Sequence, residues 1–230
     1  AEKSCRADAL QLDVTAGTLW HGSFPLPLET VIPIPAGDFS REPQFRVNRP
    51  EQVTSFVSVE DATAPLQWKG PEDLSAELFL ARSDRELRLR FRVRDDIHHQ
   101  PFTGREVWQG DNIQLGLQLP RQNGQWEIGL TRLADGKPEL FVWLHPEGYD
   151  PEKCARQIRL STRRDDAARE TLYEAAIPFR AIGLTPEIGT QGFQLSFLVN
   201  DNDGTCRESA ISASPGMLIK DSSRYPVVSF

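Results

Sequence analysis

The sequence Leu-Arg-Leu-Arg-Phe-Arg-Val-Arg at residues 87–94 alternates apolar and basic side chains without a break. Successive side chains of a β-strand point to opposite faces of the sheet, so this stretch predicts a strand with one apolar face and one arginine face. Such a strand is typical of an antiparallel sheet that covers a core on one side and meets solvent on the other.

The rest of the chain repeats this pattern in short segments separated by turns. Residues 113–119 and 126–130 alternate again, and the Gln-Asn-Gly turn at residues 122–124 predicts a hairpin between them. The chain has 17 prolines and 16 glycines, scattered rather than clustered, which favours many short strands. Only residues 179–182 have the pattern of a helical turn. We therefore predict an all-β fold, an antiparallel β-sandwich that is jelly-roll-like and of immunoglobulin-like size or larger.

Length and composition indicate the domain organisation. The 230 residues, 39% of them hydrophobic and 26% charged, suffice for one large globular domain with a full core. Residues 1–50 contain six prolines and are more irregular than the segments that follow. We expect residues 1–52 to be a strand-bearing segment that packs on the sandwich or ends a neighbouring module. Residues 53–230 are expected to form the sandwich itself.

The charge and the motif content exclude several classes of function. A net charge of −7 argues against a general nucleic-acid binder, which needs a basic excess to neutralise phosphates. No apolar run approaches the ~18 residues of a membrane span, and we expect any export signal to have been removed. The GxSxG, GxGxxG, P-loop and HExxH motifs do not occur, so the sequence indicates neither a nucleotide cofactor nor a familiar catalytic centre.

The three cysteines, Cys5, Cys154 and Cys206, lie far apart and have no zinc-binding spacing. They are either three thiols or one disulfide and one thiol. In the second case the predicted pair is Cys154–Cys206, which requires an oxidising compartment.

Two carboxylate-rich segments are candidate metal sites. Asp95 and Asp96 directly follow the alternating strand and precede two histidines; carboxylates favour calcium, and imidazoles favour a transition metal. Asp201 and Asp203 lie in Asn-Asp-Asn-Asp-Gly at residues 200–204, which begins like a calcium loop but lacks the final glutamate of an EF-hand. The alternative for both segments is a solvated turn between strands.

The segment Trp-Gln-Gly-Asp-Asn at residues 108–112 is a candidate ligand site. The indole of Trp108, on a loop before a strand, can expose its face to the C–H patches of a sugar ring. Gln109, Asp111 and Asn112 would then take the sugar hydroxyls. The alternative is that Trp108 closes one end of the core.

Arg90, Arg92 and Arg94 form a cationic stripe on the predicted solvent face of the alternating strand. The stripe is either a solvated sheet surface or, in a concave face, a binding site for an anionic sugar such as a uronate.

From Leu74 to the C-terminus the sequence resembles a family 9 carbohydrate-binding module, within the wider group of DOMON-like β-sandwiches. The segment at residues 86–96 is similar to the family's LYL-x-V-x-V-x-D-D strand, and further matching segments follow in the family's order. Together these are residues 73–76, 86–96, 108–115, 173–179, 192–197, 200–204 and Arg207. Residues 1–50 are not covered by the resemblance.

The resemblance implies a β-sandwich without catalytic activity that binds a polysaccharide or oligosaccharide between two tryptophans. The first would be Trp108, whereas Ala213 occupies the position of the second. Loss of one stacking face would cost roughly 1–3 kcal/mol of binding free energy. Another aromatic side chain, Trp143, Trp68 or Tyr149, would replace it if the site is retained.

The resemblance also implies that calcium binds at Asp95, Asp96, Asp201 and Asp203. It implies a secreted or periplasmic protein, either a monomer or a module of a larger polysaccharide-degrading or surface protein. We expect no haem, because the single methionine leaves little choice of axial ligand.

Two other functions compete with carbohydrate binding. Ala213 favours a structural or interaction sandwich within a larger protein. A haem-binding DOMON-type domain needs axial ligands such as methionine, and Met217 is the only methionine in the chain.

Overall fold

A computed structural model describes residues 9–16, 20–27, 30–56, 68–204 and 206–230, with the backbone alone described before residue 30. The chain divides into two compact units, Ala1–Val31 and Ile32–Phe230. In the first unit, β1 (Ala9–Ala16) and β2 (Trp20–Pro27) pair antiparallel as a hairpin.

The second unit consists mainly of strands. In chain order they are β3 (Ile32–Pro33), β4 (Phe45–Val47), β5 (Val53–Ser55), β6 (Leu74–Arg82), β7 (Glu86–Asp95), β8 (Asn112–Gln118), β9 (Trp126–Arg132), β10 (Pro138–Leu144), β11 (Arg159–Asp165), β12 (Glu170–Pro178), β13 (Phe193–Asp201), β14 (Ser209–Ser212) and β15 (Val227–Ser229). The helices are α1 (Pro151–Gln157), α2 (Phe179–Ile182), α3 (Pro186–Gln191) and α4 (Gly216–Ile219), with 3₁₀ helices at Pro50–Gln52, Gly104–Gln109 and Ser222–Arg224.

Two sheets form a sandwich. The five-stranded sheet has the order β11-β12-β7-β6-β4, and the eight-stranded sheet runs β10-β9-β8-β13-β14-β5, with β15 pairing both β13 and β3. Phe91 of the first sheet meets Phe197 of the second edge to face, with ring centroids 5.1 Å apart. All pairs are antiparallel except β3–β15, so the predicted antiparallel β-sandwich is confirmed.

Strand β7 has the predicted two-faced character. Leu87, Leu89 and Phe91 are fully buried in the core between the sheets, and the arginines between them lie on the outer face. The strand pairs with β6 on one side and β12 on the other, so its whole length is fixed within the sheet. The predicted hairpin at residues 122–124 joins β8 to β9, with Gly124 at a φ of +105°.

The sandwich begins earlier in the chain than the expected boundary at residue 52. Strand β3 pairs with β15 and β4 pairs with β6, so residues 32–52 contribute strands to both sheets. The division between the two units therefore falls after Val31.

Three short α-helices, α1, α3 and α4, were not among the elements that the sequence predicted. Helix α1 begins after Asp150, whose carboxylate accepts a hydrogen bond from the Lys153 N–H at 3.0 Å, and α3 begins after Thr185, which caps Ile188. In the described part of the chain, no helix has the length and apolarity that crossing a membrane requires.

The cysteines do not pair as one alternative proposed. Cys154 lies on α1 within the core, and burial raises the pKa of its thiol to about 12. No disulfide joins it to Cys206, which is exposed before β14.

Candidate functional site

The site lies on the outer face of the eight-stranded sheet. Alternation along β8 sends Ile113, Leu115 and Leu117 into the core, so Gln114 and Gly116 face outward. Loops and short helices lie on this outer face. Helix α4 contributes Met217 to a second, smaller apolar cluster there, and Leu218 packs against that cluster. These segments leave an open cleft between them.

The cleft has a volume of about 570 Å³, within the range of small-molecule sites. Its walls come from the 3₁₀ helix Gly104–Gln109, from β10 and from α4, and its floor comes from β8, β9 and β13. The lining side chains that carry chemistry are Arg105, Trp108, Gln114, Glu127, Trp143, Arg207 and Lys220.

Two tryptophans line the cleft. Trp108 is 38% exposed, which is unusual for so large an apolar side chain. Trp143 is half-buried, and its indole N–H donates to the Arg105 carbonyl at 2.9 Å, which ties the ring to the helix that carries Trp108. Phe141 packs beside Trp143 with ring centroids 5.5 Å apart.

Gly129 makes room for the Trp143 ring. A Cβ atom at this position of β9 would lie 2.6 Å from Cη2 of Trp143, well inside van der Waals contact. The indole therefore rests directly on the backbone of the sheet, and its position depends on the missing side chain.

The floor of the cleft holds an ion pair between a buried glutamate and an exposed lysine. Glu127 is only 4% exposed, and its carboxylate accepts a hydrogen bond from the Lys220 ammonium group. Lys220 also donates to the Gln114 side-chain oxygen at 3.3 Å. A network of this kind keeps polar groups at fixed positions, where a ligand can share them.

Two guanidinium groups complete the lining. The Cζ atom of Arg207 lies 3.6 Å from the Phe56 ring centroid and 5.2 Å from that of Trp108. Burial lowers the pKa of Arg207 to about 10, which leaves the group protonated at neutral pH. Arg105 is exposed at the opposite wall.

Asp111 and Asn112, two of the three residues predicted to take sugar hydroxyls, are directed elsewhere. Asp111 is buried and its carboxylate accepts hydrogen bonds from the N–H groups of His99 and Asn202, the latter at 2.8 Å. Asn112 is buried and accepts from the Asn200 amide at 2.6 Å. The Asp111 carboxylate thus joins His99 to Asn202, and the Asn112 amide joins β8 to β13, so the placement of these groups does not support direct ligand contact.

Gln109 also makes contacts away from the cleft lining. Its side-chain amide donates to the Glu106 carboxylate at 2.6 Å, and its backbone carbonyl accepts from the Asn202 side-chain amide at 2.7 Å. Of the predicted segment 108–112, only Trp108 lines the cleft.

The arginine stripe lies on the other sheet, away from the cleft. Arg90 pairs with Glu174 at 2.8 Å, and Arg94 pairs with Glu72 at 2.6 Å. Arg92 lies 3.2 Å from one glutamate of β6 and 3.7 Å from one of β12. The stripe is thus a solvated network of ion pairs, because the neighbouring strands and the turn before β6 supply a carboxylate to each guanidinium.

The four predicted metal-binding aspartates come together at one end of the sandwich. Carboxylate oxygens of Asp95, Asp201 and Asp203 lie within 4.8 Å of one another, and Asp73, Asp96 and Asp203 form a second such group. The two segments that the sequence singled out separately are therefore one cluster.

This cluster has more negative charge than the nearby cations balance. Lys69 lies 3.5 Å from Asp73, and Arg164 lies 3.5 Å from Asp95. Burial, together with the neighbouring carboxylates, raises the pKa of Asp201 to about 9. The Oδ1 atom of Asp203 is buried without a hydrogen-bond partner.

Solved structures with the same architecture identify the fold. No protein-family model and no curated protein matches this chain. A family 9 carbohydrate-binding module from Caldicellulosiruptor kristjanssonii, in complex with cellotriose, superposes with a TM-score of 0.58 at 13% identity, covering 87% of this chain and 93% of that one. This chain has the fold of a family 9 carbohydrate-binding module. The Caldicellulosiruptor kristjanssonii module in complex with glucose gives a TM-score of 0.57 at 15% identity, over 87% and 95% of the two chains.

A third solved structure is similar to this chain. It is a Bacteroides uniformis protein provisionally named as carbohydrate-binding, with a TM-score of 0.54 at 12% identity. The likeness covers 72% of this chain and 83% of that one.

On this family 9 fold, Ala213 does not face the cleft. Its side chain packs against the core, while the neighbouring Ser212 pairs with Leu198 on the outer face. Of the aromatic residues considered as replacements, Trp68 and Tyr149 pack on the core as well. Trp143 is the one that lies beside the cleft with Trp108.

The sequence missed most of the polar lining. Glu127, Lys220 and Arg105 were not predicted, and Arg207 was noted only as part of the family resemblance. The one sequence signal for this lining is the alternation along β8, which places Gln114 on the outer face of the sheet.

Proposed function

We propose that this protein is a non-catalytic carbohydrate-binding domain whose ligand occupies the cleft between Trp108 and Trp143. The observation that supports this most is that both indole rings line one cleft whose volume is typical of small-molecule sites. The ligands of the solved relatives with the same fold, cellotriose and glucose, agree with the proposed ligand class.

The chemistry of the lining suits a sugar. Sugar rings present patches of C–H that dock on aromatic faces, and hydroxyl groups at the ring edge that need donors and acceptors. The carboxylate of Glu127 and the amide of Gln114 supply acceptors, and the Lys220 ammonium group supplies donors. Because these groups already form a network, they are preorganised for a ligand.

A binding role without catalysis agrees with the carboxylates of the cleft. Glycoside hydrolysis requires two carboxyl groups on either side of the scissile bond. Among the described residues that line the cleft, Glu127 is the single carboxylate, and Lys220 neutralises it. We propose a monomeric domain, or a module of a larger protein, that is secreted or periplasmic, where polysaccharides are found.

We further propose calcium at the aspartate cluster. A hard divalent cation takes several carboxylate oxygens, and Asp95, Asp201 and Asp203 present such oxygens within 4.8 Å of one another. The unpartnered Oδ1 of Asp203 and the raised pKa of Asp201 both fit a site that a cation would neutralise. The ion would hold the end of β7 to the end of β13 and the loop that follows it.

The experiment that tests carbohydrate binding is retention of the purified protein in gels containing cellulose derivatives, xylan, mannan and pectin. Retarded migration in at least one gel, reversed by the matching soluble oligosaccharide, supports the proposal. Unretarded migration in all of them, together with no binding on a glycan array, would overturn it.

The Gly129→Ala variant tests whether the position of Trp143 matters. The new methyl group would displace the indole from its seat on the sheet. We expect oligosaccharide binding to weaken by about 1–3 kcal/mol, the value of one stacked ring, in calorimetric titration. Unchanged affinity in a variant whose near-UV circular dichroism shows a displaced indole would argue against a role for this ring.

A further inference from the structure

We infer that the cleft is adapted to sugars that carry an anionic group, such as the carboxylate of a uronic acid or a sulfate ester. This inference rests on the proposed carbohydrate-binding function and specifies its ligand class. It follows from the charges in the cleft and from the environment of Arg207.

The cleft is cationic although the whole chain has a net charge of −7. Its lining includes three cationic side chains, Arg105, Arg207 and Lys220, against one carboxylate. Lys220 is satisfied by Glu127 and Gln114. Two guanidinium groups are therefore left without a carboxylate at ion-pair distance among the described residues.

This arrangement differs from that of the arginine stripe on the other sheet. On the five-stranded sheet, Arg90, Arg92 and Arg94 each have a glutamate within 4.0 Å, so that surface has little unbalanced charge. In the cleft, the guanidinium groups of Arg105 and Arg207 have no such carboxylate among the described residues, and a bound anion could neutralise them.

Arg207 is placed to recognise an oxyanion. At 3.6 Å from the Phe56 ring centroid the guanidinium lies against the ring face, and this contact leaves its N–H groups for a ligand. A partly desolvated cation is costly without an opposite charge, and a ligand carboxylate would offset that cost. A guanidinium also binds carboxylate and sulfate oxygens in a bidentate manner, which favours these groups over hydroxyls.

Arg207 also links charge recognition to ring stacking. Its Cζ atom lies 5.2 Å from the centroid of Trp108, so an anionic substituent held by Arg207 would belong to a sugar beside that indole. One ligand can therefore use both contacts, which a free inorganic anion cannot do.

The test compares neutral and acidic ligands by calorimetry. Cellotriose and xylotriose serve as the neutral ligands, with trigalacturonate and a glucuronate-substituted xylotriose as the carboxylated ones. A sulfated galactose oligosaccharide shows whether the anion is a sulfate ester instead. We expect the best acidic ligand to bind at least about tenfold more tightly than the best neutral one, since hydrogen bonds to charged groups are the stronger kind.

Substitutions test which residues cause the preference for acidic ligands. Arg207→Gln and Arg105→Gln should each lower the ratio of acidic to neutral affinity, which is the quantity compared between the variants. Arg180→Gln, an exposed arginine on α2 that does not line the cleft, is the matched control and should change neither affinity. If Arg207→Gln does not fold, the Arg105→Gln variant and the salt dependence still test whether charge in the cleft causes the acidic preference. Raising NaCl from about 0.05 to about 0.5 M should weaken acidic binding alone.

The outcomes separate the preference for acidic sugars from carbohydrate binding itself. Neutral ligands that bind as tightly as acidic ones, or an acidic preference that survives both substitutions, would overturn this inference and leave the proposed carbohydrate binding intact. Absence of binding to every sugar would overturn both.

Discussion

Replacing Trp143 or Trp108 by alanine is expected to weaken oligosaccharide binding by about 5- to 150-fold, and replacing both should abolish it. Each indole offers a flat apolar face, and stacking on such a face contributes about 1–3 kcal/mol. The two rings line one cleft, so a bound sugar contacts both and the losses should accumulate. Calorimetric titration of each variant gives the result directly.

Conservative variants separate stacking from other effects of the tryptophans. Trp143→Phe keeps an aromatic face but loses the N–H that donates to the Arg105 carbonyl, so it should retain most of the affinity that Trp143→Ala loses. Thermal unfolding checks that each variant is folded. Affinities of Trp108→Ala and Trp143→Ala within about twofold of the parent would exclude the cleft as the binding site.

Adding calcium to metal-free protein is expected to raise its melting temperature by about 5–10 °C at saturating concentration. The physical reason is the clustering of Asp95, Asp201 and Asp203, whose mutual repulsion is relieved when a divalent cation binds among them. A cation that binds the folded state alone stabilises it by mass action, and a chelator should reverse the increase.

Two substitutions make the calcium result specific. Asp201→Asn removes one carboxylate from the cluster and should abolish most of the increase, while leaving the metal-free protein at least as stable because Asn is neutral. Asp84→Asn, an exposed aspartate between β6 and β7 and outside the cluster, is the control and should respond to calcium like the parent. Identical unfolding curves with calcium and with chelator would refute the calcium proposal.

Local patterns predicted the strands well because a strand's two-faced character is a property of consecutive residues. Strand β7 and the hairpin between β8 and β9 follow directly from alternation and from an Asn-Gly turn. Helices α1 and α3 also had local signals, Asp-Pro-Glu at residues 150–152 and Thr-Pro-Glu at 185–187, which match an N-cap followed by proline.

The cleft was less predictable because its residues meet only in space. Glu127 and Lys220 are 93 positions apart, and neither stands out in its own segment. Trp143 could be named only as one of three aromatic candidates. The prediction that Asp111 and Asn112 contact sugar hydroxyls was not supported by the structure. The direction of each side chain depends on how the loop before β8 joins the sheet, and the sequence does not show this.

The register between neighbouring strands explains why the arginine stripe is a network of ion pairs and not a binding site for an anionic sugar. Arg92 lies opposite Glu77 of β6, and Arg90 lies opposite Glu174 of β12. The alternation within β7 shows that the arginines share a face, but it does not show which residues of other strands lie beside them. An exposed cationic stripe and a neutral network of ion pairs therefore have the same local sequence.

The most direct test of the central claim is a titration of ¹⁵N-labelled protein with an oligosaccharide that it binds, following the indole N–H resonances. We predict that the resonances of Trp108 and Trp143 shift with increasing ligand, while those of Trp68 and Trp126, which pack on or within the core, stay in place. Shifts that spare both Trp108 and Trp143 while other residues respond would contradict the account and place the sugar elsewhere.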